Sequence, residues 1–213
     1  MLRLRFMRPL AAACLLLHVA GARADDLATA IADLQQRWAV ANYELRDKPR
    51  VAALDVLTED AESLTRQYPQ RAEPWIWCGI IRSTLAGARG GLGALGIAKA
   101  ARRDLEQAIA LDPAALDGSA YTSLGTLYHK VPGWPVGFGD DDKAEQLLRK
   151  ALEINPNGID ANYFYGEFVL DQGHRAEAAQ YLARASAAPP RPGRELADRG
   201  RQQEIADLLA KAK

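Results

Sequence analysis

The amino-acid sequence predicts an all-α chain in which helical hairpins stack into a solenoid. Three observations predict it. A pattern of small and large residues recurs at a separation of 34 positions: Ala144, Leu148, Ala151 and Pro156 are matched by Ala178, Leu182, Ala185 and Pro190. Within each copy the apolar positions share one helical face, since Ala144, Leu147, Leu148, Ala151 and Leu152 fall at i, i+3, i+4, i+7 and i+8. No window alternates with period two between turn signals, so no sheet is expected. The 213 residues, 48% hydrophobic and 25% charged, fit one globular domain.

Residues 1–24 read as a secretory leader. Arg3, Arg5 and Arg8 form a positive segment, and Leu10 to Ala20 is apolar apart from His18. Ala22-Arg23-Ala24 then supplies a small-residue cleavage site. The apolar run is about a dozen residues, short of the roughly 20 that span a bilayer. Cleavage near Ala24 implies a periplasmic or secreted protein. A lipoprotein alternative centred on Cys14 is disfavoured, because the apolar run continues past it and Ala11 stands where leucine is expected. Export changes the charge: Lys+Arg falls from 27 to 23 against 27 acids, taking the net charge from zero to −4. Neither value suits a nucleic-acid binder. Cys78 alone remains, which excludes an intrachain disulfide.

The following elements are expected in order. Residues 25–70 form a hairpin with a degenerate pattern, from helices at 26–46 and 49–68. Residues 71–190 form three hairpins, pairing 73–86 with 94–111, 117–130 with 141–154, and 159–172 with 174–187. The first of these shows Trp75, Gly79, Ala101, Leu105, Ala108 and Pro113; the next two place Gly125 after Leu124 and Gly166 after Tyr165. Small residues let paired helices approach closely, and Pro113, Pro156 and Pro190 stop the second helix of each pair. One hairpin cannot bury its own stripe, so the hairpins stack into a continuous core. Residues 188–193 form a rigid connector. Residues 191–213 carry a last helix at 194–211, whose Leu196, Ile205, Leu208 and Leu209 suit a cap on the end of the stack.

This pattern resembles the tetratricopeptide repeat, strongly over 73–190 and less so over 27–70. The resemblance implies a right-handed solenoid with a C-terminal capping helix. Against the 34-residue period, Gly125 to Gly166 is 41 residues and Gly79 to Gly125 is 46. The excess predicts insertions near 129–142 and 87–99, which in a solenoid map to loops, often on a binding face. A Gly-rich interruption followed by an aromatic Pro/Gly loop leading to Gly-Asp-Asp is similar in layout to the helical T-component associated with TRAP transporters. That likeness implies a periplasmic protein working beside a solute-binding protein.

The chemistry-bearing motifs are weak. Gly91-Leu-Gly93-Ala-Leu-Gly96 satisfies G-x-G-x-x-G but has no preceding strand, so it reads as a small-residue turn rather than a dinucleotide site. Asp140-Asp141-Asp142 suits a helix N-terminus better than a calcium loop. Two histidines after residue 24, His129 and His174, and one cysteine give no zinc constellation, and Cys78 reads as a packing residue. No enzyme, cofactor or metal is expected. The resemblance implies binding on the concave face, at first-helix positions. These are Glu73, Ile76, Ile80, Ser83 and Thr84, then Ser119, Thr122, Thr126, His129 and Lys130, then Asp160, Tyr163, Glu167, Leu170 and Asp171. The face lacks the lysine and asparagine clamp for a peptide carboxylate. Trp134 and Phe138 either anchor the inserted loop against the solenoid or form an aromatic platform. The expected function is a scaffold for a protein partner in an envelope or transport assembly. The alternative is a module holding a small apolar ligand through that aromatic loop.

Overall fold

The computed structural model describes the backbone of residues 11–213 and the side chains of 25–213, apart from that of residue 92. The charged segment of the expected leader lies outside the described residues, as do Cys14 and the other side chains of 1–24. Among the described residues nine helices follow in order: α1 (Ala11–Tyr43), α2 (Asp47–Gln67), α3 (Ala72–Arg89), α4 (Gly91–Leu111), α5 (Ala115–Lys130), α6 (Asp141–Ile154), α7 (Ile159–Asp171), α8 (Arg175–Ser186) and α9 (Glu195–Ala212). No strand occurs among these residues, only an isolated bridge between Gly133 and Gly139.

The repeat works through one contact used three times. A Cβ added to Gly79 would lie 2.6 Å from Leu105 Cγ, one on Gly125 would lie 2.7 Å from Leu148 Cγ, and one on Gly166 would lie 3.0 Å from Leu182 Cγ. Each glycine thus lets the leucine of the second helix press onto the backbone of the first. The three leucines and the alanines one turn earlier, Ala101, Ala144 and Ala178, are fully buried. This is why α3 pairs with α4, α5 with α6, and α7 with α8.

The structure departs from the sequence reading at the first insertion. Residues 87–99 form no loop: α3 runs on to Arg89, Gly90 and Gly91 turn the chain at φ +61° and +65°, and α4 begins at Gly91. The extra length becomes extra turns of both helices, because the segment contains no proline and the alanines and leucines around Gly93 and Gly96 favour helix. The second insertion is a loop, residues 131–140. Its backbone is folded on itself: Gly137 N donates to Gly133 O (3.0 Å), Gly139 N to Pro132 O (3.0 Å) and Asp140 N to Tyr128 O (3.0 Å). Gly139 is required there, since a Cβ would sit 1.9 Å from Val131 O. Asp140 then caps α6, its carboxylate accepting from Lys143 N at 3.0 Å. The start of α5 is a left-handed turn across Leu116, Asp117 and Gly118 (φ 47°, 55° and 75°). Side chains in that region cost roughly 1–2 kcal/mol per residue. Leu116 packs against both N-terminal clusters of the core, which offsets the strain.

The last helix does more than cap the stack. It packs on α8 and α7, and also on α1. Ala197 joins the core formed by α1, α2 and α3, while Ile205 joins the core of α6, α7 and α8. At Gly200 the Tyr43 ring of α1 lies so close that an added Cβ would be 2.3 Å from Cδ1. The odd-numbered helices therefore touch in sequence, α1 to α3, α5, α7 and α9, and α9 returns to α1. The solenoid is closed into a ring, with the even-numbered helices outside.

Candidate functional site

The ring surrounds a solvent-open cavity of about 400 Å³, lined by all five inner helices. Ten of the seventeen residues singled out from the sequence line it: Ile80, Ser83 and Thr84 on α3, Ser119, Thr122, Thr126 and Lys130 on α5, and Asp160, Tyr163 and Glu167 on α7. A second cavity of about 360 Å³ adjoins the first and shares Trp77, Asp160 and Arg194 among its walls.

The other seven sit elsewhere: Ile76 is buried in the core, Leu170 packs against the core of α6, α7 and α8, Glu73 pairs with Arg71, and Asp171, His129, Phe138 and Trp134 lie off the cavity wall. His129 leaves the concave face and ties three helices together, its Nδ1 at 2.9 Å from Asp141 Oδ1 and its Nε2 at 3.0 Å from Asp171 Oδ2, with the ring edge-on to Phe168. Both carboxylates are held below the usual range: Asp141 mainly by its hydrogen bond to His129, and Asp171 by His129 and Lys130, which outweigh its partial burial. Phe138 folds back, edge-on to Tyr128 at 5.5 Å and beneath the Arg102 guanidinium at 4.6 Å. Trp134 takes no part in that anchoring. It is 90% exposed at the loop tip, and neither aromatic lines the cavity. The loop lies outside the ring, and Phe138 anchors it.

The cavity also holds residues that the sequence did not point to. Trp38, Asn42 and Arg50 come from the first hairpin, Trp77 from α3, and Arg191, Arg194, Arg201 and Glu204 from the connector and α9. The N-terminal copy of the pattern is degenerate, and the connector and last helix lie beyond the repeat, so no register placed these side chains on the inner face. Lys130 pairs with Glu167 at 3.1 Å and Asp171 at 3.0 Å. Asp160 accepts from Arg191 at 2.5 Å and from Arg201 at 2.9 Å, fastening α7 to the connector and to α9. Burial would raise the Asp160 carboxyl, but Arg201 and Arg191 outweigh it and hold it at about 2. Arg201 also pairs with Glu204 at 2.6 Å and stacks on Tyr163 at 4.2 Å. Arg191 is pinned further by Asp198 at 2.6 Å.

No group of three or more His, Cys, Asp or Glu residues that could hold a metal ion is found among the described residues. No helix among them is long and apolar enough to cross a membrane. Cys78 is buried, and burial together with the nearby Asp104 charge pushes its thiol well above the ordinary range, away from nucleophilic use.

A tetratricopeptide repeat family model matches residues 137–212. No curated protein sequence matches the chain. Among solved structures the chain is similar to TTC0263, a thermophilic TPR protein in Thermus thermophilus, with a TM-score of 0.58, 20% identity and 76% of each chain covered. A crystal structure of MamA protein aligns at a TM-score of 0.44 and 17% identity, covering 84% of this chain and 90% of the other. The chain thus carries tetratricopeptide-repeat sequence over 137–212, and its architecture is that of a tetratricopeptide-type helical solenoid.

Proposed function

We propose that this protein is a non-catalytic binding scaffold that docks a protein partner through the loop carrying Trp134. One observation carries this reading: a tryptophan 90% exposed, beside Val136 at 60%, on a loop whose backbone is internally bonded and anchored by Phe138. Tryptophan is enriched at the energetic centres of protein interfaces, and a pre-ordered loop loses little entropy on docking. The leader pattern over 1–24 supports export to the periplasm or beyond, and the layout shared with the T-component of TRAP transporters supports an envelope or transport-associated assembly. The test is a photo-crosslinking residue placed at position 134 in cells, with Val56 on the outer helix α2 as control, since it too is exposed. A discrete adduct is expected from position 134 and not from 56. Equal labelling at both positions, or none at 134, refutes docking through this loop.

A second reading is favoured by the closed ring. A 400 Å³ cavity lies in the range of about 300–1,000 Å³ typical of small-molecule sites, and its walls set the aromatic faces of Trp38, Trp77, Tyr163 and Phe164 among charged and hydroxyl side chains. This reading supports a small ligand held inside the ring, away from Trp134.

A further inference from the structure

Two cations of the cavity wall have no carboxylate partner among the described residues. Among those residues, five cations line the cavity, Arg50, Lys130, Arg191, Arg194 and Arg201, against three carboxylates, Asp160, Glu167 and Glu204. The carboxylates are already committed: Glu167 to Lys130, Asp160 to Arg191 and Arg201, and Glu204 to Arg201. The two cations left over are Arg50 and Arg194. Arg50 reaches only the Asn42 side-chain oxygen, at 2.6 Å, and its Nε is buried without a partner. The Arg194 guanidinium makes no ion pair or hydrogen bond among the described residues, and its Nε is buried without a partner as well.

A third orphaned donor stands beside them. Trp77 is 3% exposed, lines both cavities, and has a buried Nε1 with no acceptor among the described residues. Arg194 lies over the Trp77 ring, 5.2 Å from its centroid. Buried donors are rarely left without partners, and each one that is costs free energy unless something completes it. Three N–H groups around one cavity, two of them on unpaired cations, ask for an anionic acceptor. Burial and the neighbouring Arg191 also penalise the charge on Arg194, a penalty that a bound anion relieves. The other walls nearby are Trp38, Ile80, Leu127 and Phe164, which offer an apolar surface to whatever carries that anion.

We infer that the ring cavity is a binding site for a small carboxylate with an apolar or aromatic body, its carboxylate seated against Arg194 and Trp77 with Arg50 as the second cation. Guanidinium takes carboxylate through paired, charge-assisted hydrogen bonds, and its planar stacking on tryptophan fixes the approach. This inference rests on the small-ligand reading and not on docking through Trp134.

The test is calorimetric titration of the full chain with decanoate, 4-phenylbutyrate and indole-3-propionate, each against its uncharged primary amide. At least one acid is expected to bind with one molecule per chain, and about tenfold or more tighter than its amide, the scale of one charge-assisted hydrogen bond. Arg194→Met and, independently, Arg50→Met are expected to erase that preference, with thermal unfolding confirming that each variant folds. Val56→Ala, on the exposed face of α2, is expected to leave binding unchanged. If acid and amide bind alike and neither arginine variant alters this, the carboxylate assignment is overturned while the ligand cavity stands. If no acid or amide binds, both fall. If a decapeptide binds through its free C-terminal carboxylate where the small acids do not, the small-molecule assignment is overturned.

Discussion

Gly200 sits where the ring closes, and substituting it separates a closed ring from an open stack. Taken as an isolated helix position, Gly200→Ala should stabilise, because alanine is better than glycine by about 0.8–1 kcal/mol in a helix interior. The packing says otherwise. The new Cβ would meet Tyr43 Cδ1 at 2.3 Å, Cε1 at 2.4 Å and Cγ at 2.6 Å. Carbon atoms prefer roughly 3.5–4.0 Å, so the ring or the helix must shift by about an ångström. Tyr43 has little room to give: it is edge-on to Trp38 at 5.9 Å, and its hydroxyl donates to Glu204 at 3.4 Å. Trp38 in turn donates to Thr84 Oγ1 at 2.9 Å. Overpacking of this kind costs about 1–3 kcal/mol, which exceeds the propensity gain. The expected net loss for Gly200→Ala is about 1 kcal/mol, and Gly200→Leu, with the same helical gain and a far larger clash, should lose at least about 2–3 kcal/mol. Urea unfolding followed by tryptophan fluorescence measures both, and hydrogen exchange should show faster opening of α9 and of the end of α1. A Gly200→Ala variant more stable than the parent, with unchanged exchange in α1, would refute ring closure.

The other glycines and one aspartate give further tests. Gly93→Ala in α4, where an added Cβ meets nothing within 4 Å, should stabilise by about 0.5–1 kcal/mol. Gly125→Ala, pressed against Leu148, should be neutral to destabilising by up to about 2 kcal/mol. Chemical denaturation of the pair decides, and a shared sign would refute the contrast. Asp160 is held at about 2, below its unfolded value near 3.9, so its contribution is present above that value and lost as pH falls from about 4 toward 2. Because 34% of the side chain is accessible, the loss is discounted to about 1–2 kcal/mol. Asp160→Asn should lower stability near neutral pH and flatten the acid limb; parallel curves for parent and variant would remove the assignment.

How far the sequence could be read depends on which contacts are local. The Gly79–Leu105, Gly125–Leu148 and Gly166–Leu182 contacts were legible because each joins the two helices of one hairpin, and the 34-residue period writes them out in the same order each time. Ser119, Thr122, Thr126, Asp160, Tyr163 and Glu167 were legible for the same reason: a fixed register places them on the inner face. His129 shares that register but is drawn aside by Asp141 and Asp171, which lie on two other helices. The glycines of 87–99 suggested a loop, because glycine marks turns more often than helix interiors. Helix won there, since the glycine cost of about 1 kcal/mol each is small beside the packing of two long helices.

By itself, then, the sequence determined an all-α chain, its order of hairpins, their internal packing and one face of the site. Only the tertiary structure decided that the solenoid closes, that Arg50, Trp77, Arg194 and Arg201 meet the repeat residues across one cavity, and that Trp134 stands outside it. The physical reason is the reach of the contacts. Helix periodicity and hairpin packing are satisfied within one repeat, whereas closure depends on small rotations accumulated over the whole stack. Those rotations bring Gly200 onto Tyr43, two residues that no period in the chain connects.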